Sequence, residues 1–124
     1  MQSTQAKVFL VDDLPWNDPK GLPGLIGDAF GEKVLMHDPE YTTAYNLSMV
    51  RFAPGAASEK HLEKWNYVIY VVDGFGQVEI EGNTFPAPTG TLIKVKAGEG
   101  HTILNTGSGD MTMLVIYDPP RASI

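Results

Sequence analysis

The segment "HLEKWNYVIYVVDGFG", His61 to Gly76, decides how the chain is read. Its second half, "NYVIYVVD" (66–73), is the most strongly strand-forming run in the sequence: β-branched and aromatic residues closed by a Gly-containing turn. Its first half carries His61, Glu63 and Tyr67, three side chains able to bind a metal or move a proton. Successive residues of a strand point to opposite faces, so these three odd-numbered residues share a face if the segment runs extended. Lys60, Leu62 and Lys64 then point the other way. Within 66–73 both faces are apolar, Ile69 and Val71 on one and Val68, Tyr70 and Val72 on the other. This predicts a strand covered on both sides, by a second sheet or by a partner subunit.

The same punctuation extends outward. "AYNLSMVRF" (44–52) ends at "APG", "QVEIEG" (77–82) alternates cleanly, and "TLIKVKA" (91–97), "HTILNT" (101–106) and "MTMLVIYD" (111–118) follow. "KVFLV" (7–11) and "EKVLMH" (32–37) predict two earlier strands. Between them "DDLPWNDPKGLPGLIGDAFG" (12–31) carries three Pro and four Gly and reads as an irregular arm. About nine short strands and little helix predict an all-β sandwich or barrel. The expected division is an N-terminal strand and arm over 1–34, a barrel over 35–118 and a tail over 119–124.

Composition narrows the function. A chain of 124 residues with 43% apolar content fits one domain. There are no cysteines, so thiolate metal sites, thiol nucleophiles and disulfides are excluded. A net charge of −6 argues against nucleic acid as partner, which requires clustered Lys and Arg. No apolar run reaches membrane-spanning length and no signal peptide is evident at the start, so the expectation is a cytoplasmic protein without membrane contact.

Forty residues beyond His61, "GTLIKVKAGEGHTILN" (90–105) presents His101 after a Gly-rich turn, at the start of another strand. Two histidines and a carboxylate on neighbouring strands suit Fe(II), Mn(II) or Ni(II), which accept mixed nitrogen and oxygen ligands and leave positions open for substrate. "GFG" joins two strands with no helix start to receive a phosphate, so it is a turn and not a phosphate loop.

Here the chain resembles the cupin superfamily. Gly55-x5-His61-x-Glu63-x3-Tyr67-x6-Gly74 is similar to its first motif, and Gly90-x5-Lys96-x-Gly98-x2-His101-x3-Asn105 to its second. The resemblance covers roughly residues 32–120. It implies an antiparallel jelly-roll β-barrel, a small single-domain cupin that is often dimeric, with chemistry inside the barrel. Members include dioxygenases, isomerases, lyases and cyclases. His61 and His101 match the family's ligands. Glu63 stands where a second His is usual, Tyr67 where a Glu is usual, and Lys96 where a Pro is usual. Both changed ligand positions still carry oxygen donors.

The expected metal ligands are therefore His61, Glu63, Tyr67 and His101, for Fe, Mn, Ni or Zn, set beside the alternative of two relic histidines in a lost site. Glu63 and Tyr67 are also the candidate catalytic residues, as base and proton donor. Trp65 is a candidate for the pocket entrance. Arg51 joins the pocket if the odd face of 44–52 is internal, and Lys94 is a further pocket candidate against the simpler reading of a solvated face. The expected partner is a small oxygen-rich substrate or ligand, bound by a homodimer that uses strand 68–72 and "KVFLV". The contrasting readings are a barrel that holds a small ligand without turnover and a metal-free acid/base isomerase.

Overall fold

The computed structural model describes residues 6–19, 29–58, 60 and 63–122. Eight strands are present among the described residues: β1 Phe30–Met36, β2 Asn46–Phe52, β3 Asn66–Asp73, β4 Phe75–Ile80, β5 Asn83–Pro88, β6 Leu92–Val95, β7 His101–Asn105 and β8 Met111–Asp118. They form a five-stranded sheet in the order β1-β2-β8-β3-β6 and a three-stranded sheet in the order β5-β4-β7, with every pairing antiparallel. The two sheets enclose one core, and the fold is an antiparallel jelly-roll barrel.

Alternation sets what lies inside. Tyr67, Ile69 and Val71 of β3 are buried, and so are Met111, Met113, Val115 and Tyr117 of β8. Burying each large apolar side chain contributes about 1.5–3 kcal/mol. Both Pro86 and Pro88 lie in β5, an edge strand, where a missing N–H breaks no ladder.

The "GFG" segment does not make a hairpin. β3 belongs to the larger sheet and β4 to the smaller one, so the chain turns a corner and changes sheets at Gly74. Gly74 has φ +110°, and a Cβ there would lie 2.7 Å from the Asp110 carbonyl oxygen. Only glycine satisfies both the backbone angle and the space.

Two expectations are corrected. "KVFLV" is not a strand: residues 7–8 bend, and Val11–Asp13 form a single 3-10 turn. The strand expected at 32–37 runs over Phe30–Met36, because Phe30 already pairs with Phe52. On β3 the chain itself covers the inner side, while Tyr70 and Val72 on the outer side are exposed and leave that face open to a partner subunit.

The arm still has a place. Asn17 and Glu32 exchange backbone hydrogen bonds of 2.9 and 2.8 Å. Trp16 lies against the outer side of β1 and β2, beneath the Lys33 ammonium (4.7 Å) and the Arg51 guanidinium (4.4 Å). Among the described residues no helix is long and apolar enough to cross a membrane.

Candidate functional site

Of the motif residues, Glu63, Tyr67 and His101 gather at one end of the barrel, where β3 and β7 begin and β8 ends. His101 opens β7 and is 3% exposed. It follows a turn in which Gly98 takes φ +88°. Lys96 N–H donates to Glu99 Oε1 (2.7 Å) and Gly100 N–H to Glu81 Oε2 (3.0 Å), which fixes the turn at both ends.

Two further bonds lace this turn to the segment before β3. Gly98 N–H donates to the Glu63 carbonyl (3.0 Å), and Ala97 N–H donates to Asn66 Oδ1 (2.8 Å). The two sequence motifs are thereby held together by one backbone pair and the Asn66 side chain, independently of any ligand.

Tyr67 is buried on the inner face, its ring 4.9 Å from that of His101 at an edge-on angle of 66°. Trp65 is half-buried and packs its edge against Tyr67 (6.1 Å) and Tyr117 (5.9 Å). Tyr67 and Tyr117 face each other across the β3–β8 ladder with centroids 5.5 Å apart. Four rings thus line this end in edge-to-face contacts, the arrangement that aromatic quadrupoles favour.

Proton positions follow from these surroundings. The Tyr67 hydroxyl is pushed up to about 12, first by burial and further by the nearby Glu63 charge; the Trp65 indole and the Arg121 cation pull the other way. Burial raises Tyr117 further still. His101 Nδ1 lies 3.5 Å from the Glu99 carbonyl oxygen. A carbonyl can only accept, so in the tautomer that makes this contact Nδ1 donates and Nε2 keeps the lone pair. Metal-binding histidines commonly have this arrangement.

The donor set fits a divalent ion in part. His101 offers imidazole nitrogen and Glu63 carboxylate oxygen. Tyr67 fits less well as a ligand, since binding would have to remove a proton that burial retains. Among the described residues no group of three or more His, Asp or Glu converges on one point. His61, the remaining motif member, lies outside the described residues.

Arg51 and Lys94 are not brought to this site. Val50 and Phe52 point inward, so Arg51 points out, where it stacks on Trp16 and lies 4.0 Å from Asp110. Leu47 and Met49, its neighbours on that face, are half-buried. Apolar residues therefore stand on both faces of β2, and the sequence alone could not tell inside from outside. Lys94 is exposed on the outer face of β6, opposite Val68.

Sequence reading missed three inward polar residues. Arg121, in the expected tail, is 0% exposed and donates through Nη2 to Glu32 Oε2 (2.8 Å) and through Nη1 to the Tyr117 hydroxyl (3.3 Å). Glu32 is buried on β1. Tyr117 could have been found, since it continues the inward parity of Met111, Met113 and Val115.

The comparisons agree with this architecture. A family model described as the cupin domain matches residues 48–117, more than half of the chain, and the chain belongs to that family. Auxin-binding protein 1 of Arabidopsis thaliana is 29% identical over 123 residues, covering 92% of this chain; the chain spans 60% of that protein's length.

Among solved structures, KdgF from Halomonas sp. superposes with a TM-score of 0.79 at 20% identity, covering 95% of this chain and 97% of that one. The polyketide cyclase RemF from Streptomyces resistomycificus gives 0.78 at 20% identity, over 95% and 82%. A predicted oxalate decarboxylase from Thermotoga maritima gives 0.77 at 20% identity, over 90% and 98%. At these identities the structures speak for the fold.

Proposed function

We propose that the chain is a small-molecule enzyme of the cupin type, acting on an oxygen-rich substrate at the barrel end where His101, Tyr67 and Glu63 meet. The reaction class is dioxygenase, isomerase, lyase or cyclase chemistry. The observation that carries this reading is His101, which is buried at this end and set edge-on against Tyr67.

His101, Glu63 and His61 would hold a divalent ion, iron, manganese, nickel or zinc. Such an ion supplies Lewis-acid polarisation of a substrate oxygen or, if iron, electrons for O₂. Tyr67 serves as a neutral hydroxyl: its proton, held to about pH 12, is available for a hydrogen bond to substrate rather than given up for ligation. In metal-free acid/base chemistry Glu63, half-buried beside it, would instead be the group that takes up a proton. The surrounding rings exclude water and orient a flat substrate.

Elemental analysis of the purified protein tests this. Bound transition metal is expected in the wild type and its loss in His101→Ala. No metal, together with no thermal shift on adding Mn, Fe, Ni or Zn, would overturn the metal-dependent reading.

A second reading, a barrel that holds a small ligand without turnover, draws support from the edge-to-face ring cluster and from the resemblance of 92% of the chain to a protein named for binding auxin. A tightly bound organic ligand in metal-free protein, recovered unchanged, would favour it. In either case a homodimer is the proposed state, supported by the exposed apolar outer face of β3 and β6.

A further inference from the structure

Arg121 stands three residues beyond the last strand, yet it is the largest fully buried side chain in the described structure. Its main chain is clamped twice by one side chain. Asn46 Nδ2 donates to the Arg121 carbonyl (3.0 Å), and Arg121 N–H donates to Asn46 Oδ1 (3.1 Å). Its guanidinium pairs with Glu32 through one nitrogen, holds the Tyr117 hydroxyl through another, and lies 4.7 Å over the Tyr117 ring. The third nitrogen, Nε, is buried without a partner.

This is an expensive way to close a core. Taking two charges out of water costs more than most ion pairs return, and apolar residues of similar volume usually serve stability as well or better. An unsatisfied buried N–H adds to the cost. What the fork provides, and an apolar side chain cannot, is direction. The thing it directs is Tyr117, whose ring edges meet both Tyr67 and Trp65.

We propose that Arg121 is a positioning residue of the barrel site: anchored by Asn46 and Glu32, it fixes Tyr117, and through Tyr117 the rings of Trp65 and Tyr67 that a bound ion or substrate meets. The inference rests on the reading of the His101 end as the site. It makes the segment after β8 a wall of that site.

The test uses the full chain and two readouts. One is Co(II) affinity from its visible absorption. The other is Trp65 emission in a Trp16→Phe background, where Trp65 is the only tryptophan. The double variant Glu32→Leu/Arg121→Met should fold with a midpoint near that of the wild type, yet bind Co(II) about tenfold more weakly and shift Trp65 emission to the red. Tyr117→Phe, which keeps the ring and removes the held hydroxyl, should reproduce part of both effects. Combined with Arg121→Met it should be less than additive, because the two act through one contact.

Folded variants with wild-type Co(II) affinity and unchanged Trp65 emission would overturn the proposal and leave Arg121 a purely structural residue. If wild type itself binds no Co(II), the metal reading fails, and Trp65 emission alone decides the positioning role. If the double variant does not fold, Arg121→Lys decides by the same readouts. It keeps the charge but loses the fork, so it should shift Trp65 emission; wild-type emission would overturn the proposal.

Discussion

Tyr67 holds its proton well above the ordinary tyrosine value of about 10, at about 12, because burial disfavours the phenolate and Glu63 adds to that. Between these values the unfolded chain binds fewer protons than the folded one, so stability falls as pH rises, by about 1.4 kcal/mol per pH unit for one such group. Below pH of about 10 both states are protonated and the full stability is present. Tyr117, raised in the same direction by burial, adds to the same fall. Metal-free Tyr67→Phe should therefore lose stability less steeply than wild type between pH 10 and 11.5. Denaturant midpoints measured across that range would show it. Equal slopes for the two proteins would mean that Tyr67 is not buried as described.

At this scale the sequence was informative where chemistry is local. Motif spacing singled out Tyr67 and His101, and the structure brings them to 4.9 Å. Arg121 was invisible for a physical reason: its partner Glu32 lies 89 residues away, and a charged residue after two prolines reads as solvated tail unless that partner is known. Arg51 failed differently. With apolar side chains on both faces of β2, alternation has no sign, and the covering that resolves it comes from Trp16 in a segment without regular structure.

The corner between β3 and β4 is the element that makes a barrel from two sheets. Gly76, just after it, lies where a Cβ would come within 2.5 Å of the Leu104 carbonyl oxygen and 2.6 Å of Met111 Sδ. The first of these is backbone and cannot swing away. Gly76→Ala should therefore separate β4 from β7 or displace Met111, at a cost of about 1–3 kcal/mol. A thermal melt unchanged from wild type would contradict the close approach. By contrast Gly82→Ala meets no neighbour and is penalised only by its φ of +85°. The glycines of "GFG" were legible as a turn, but alternation alone could not distinguish a hairpin from a change of sheet. That distinction lies in the partners of β4, which are β5 and β7.

The whole molecule leaves apolar surface where a soluble monomer would not be expected to. Tyr70 and Leu92, paired across β3 and β6, are both exposed, as is Val72. The sequence had predicted that this strand is apolar on both faces. The single chain covers one of them, which supports a second copy on the other. Size-exclusion chromatography with light scattering should give twice the 13.5 kDa chain mass, and Tyr70→Glu/Leu92→Lys should reduce it to the monomer. A wild-type monomer at micromolar concentration would refute the dimer. "KVFLV" was expected to share that role as a strand. It joins no sheet among the described residues, and Val8 and Leu10 face solvent.

The central claim is that the barrel end marked by His101 binds a divalent ion. Anomalous scattering from crystals grown with Mn(II) or Zn(II) addresses it directly. A single strong peak is expected about 2.0–2.2 Å from His101 Nε2, with Glu63 and His61 completing the contacts. Fully occupied crystals with no peak at His101, or with the ion bound elsewhere on the chain, would contradict it.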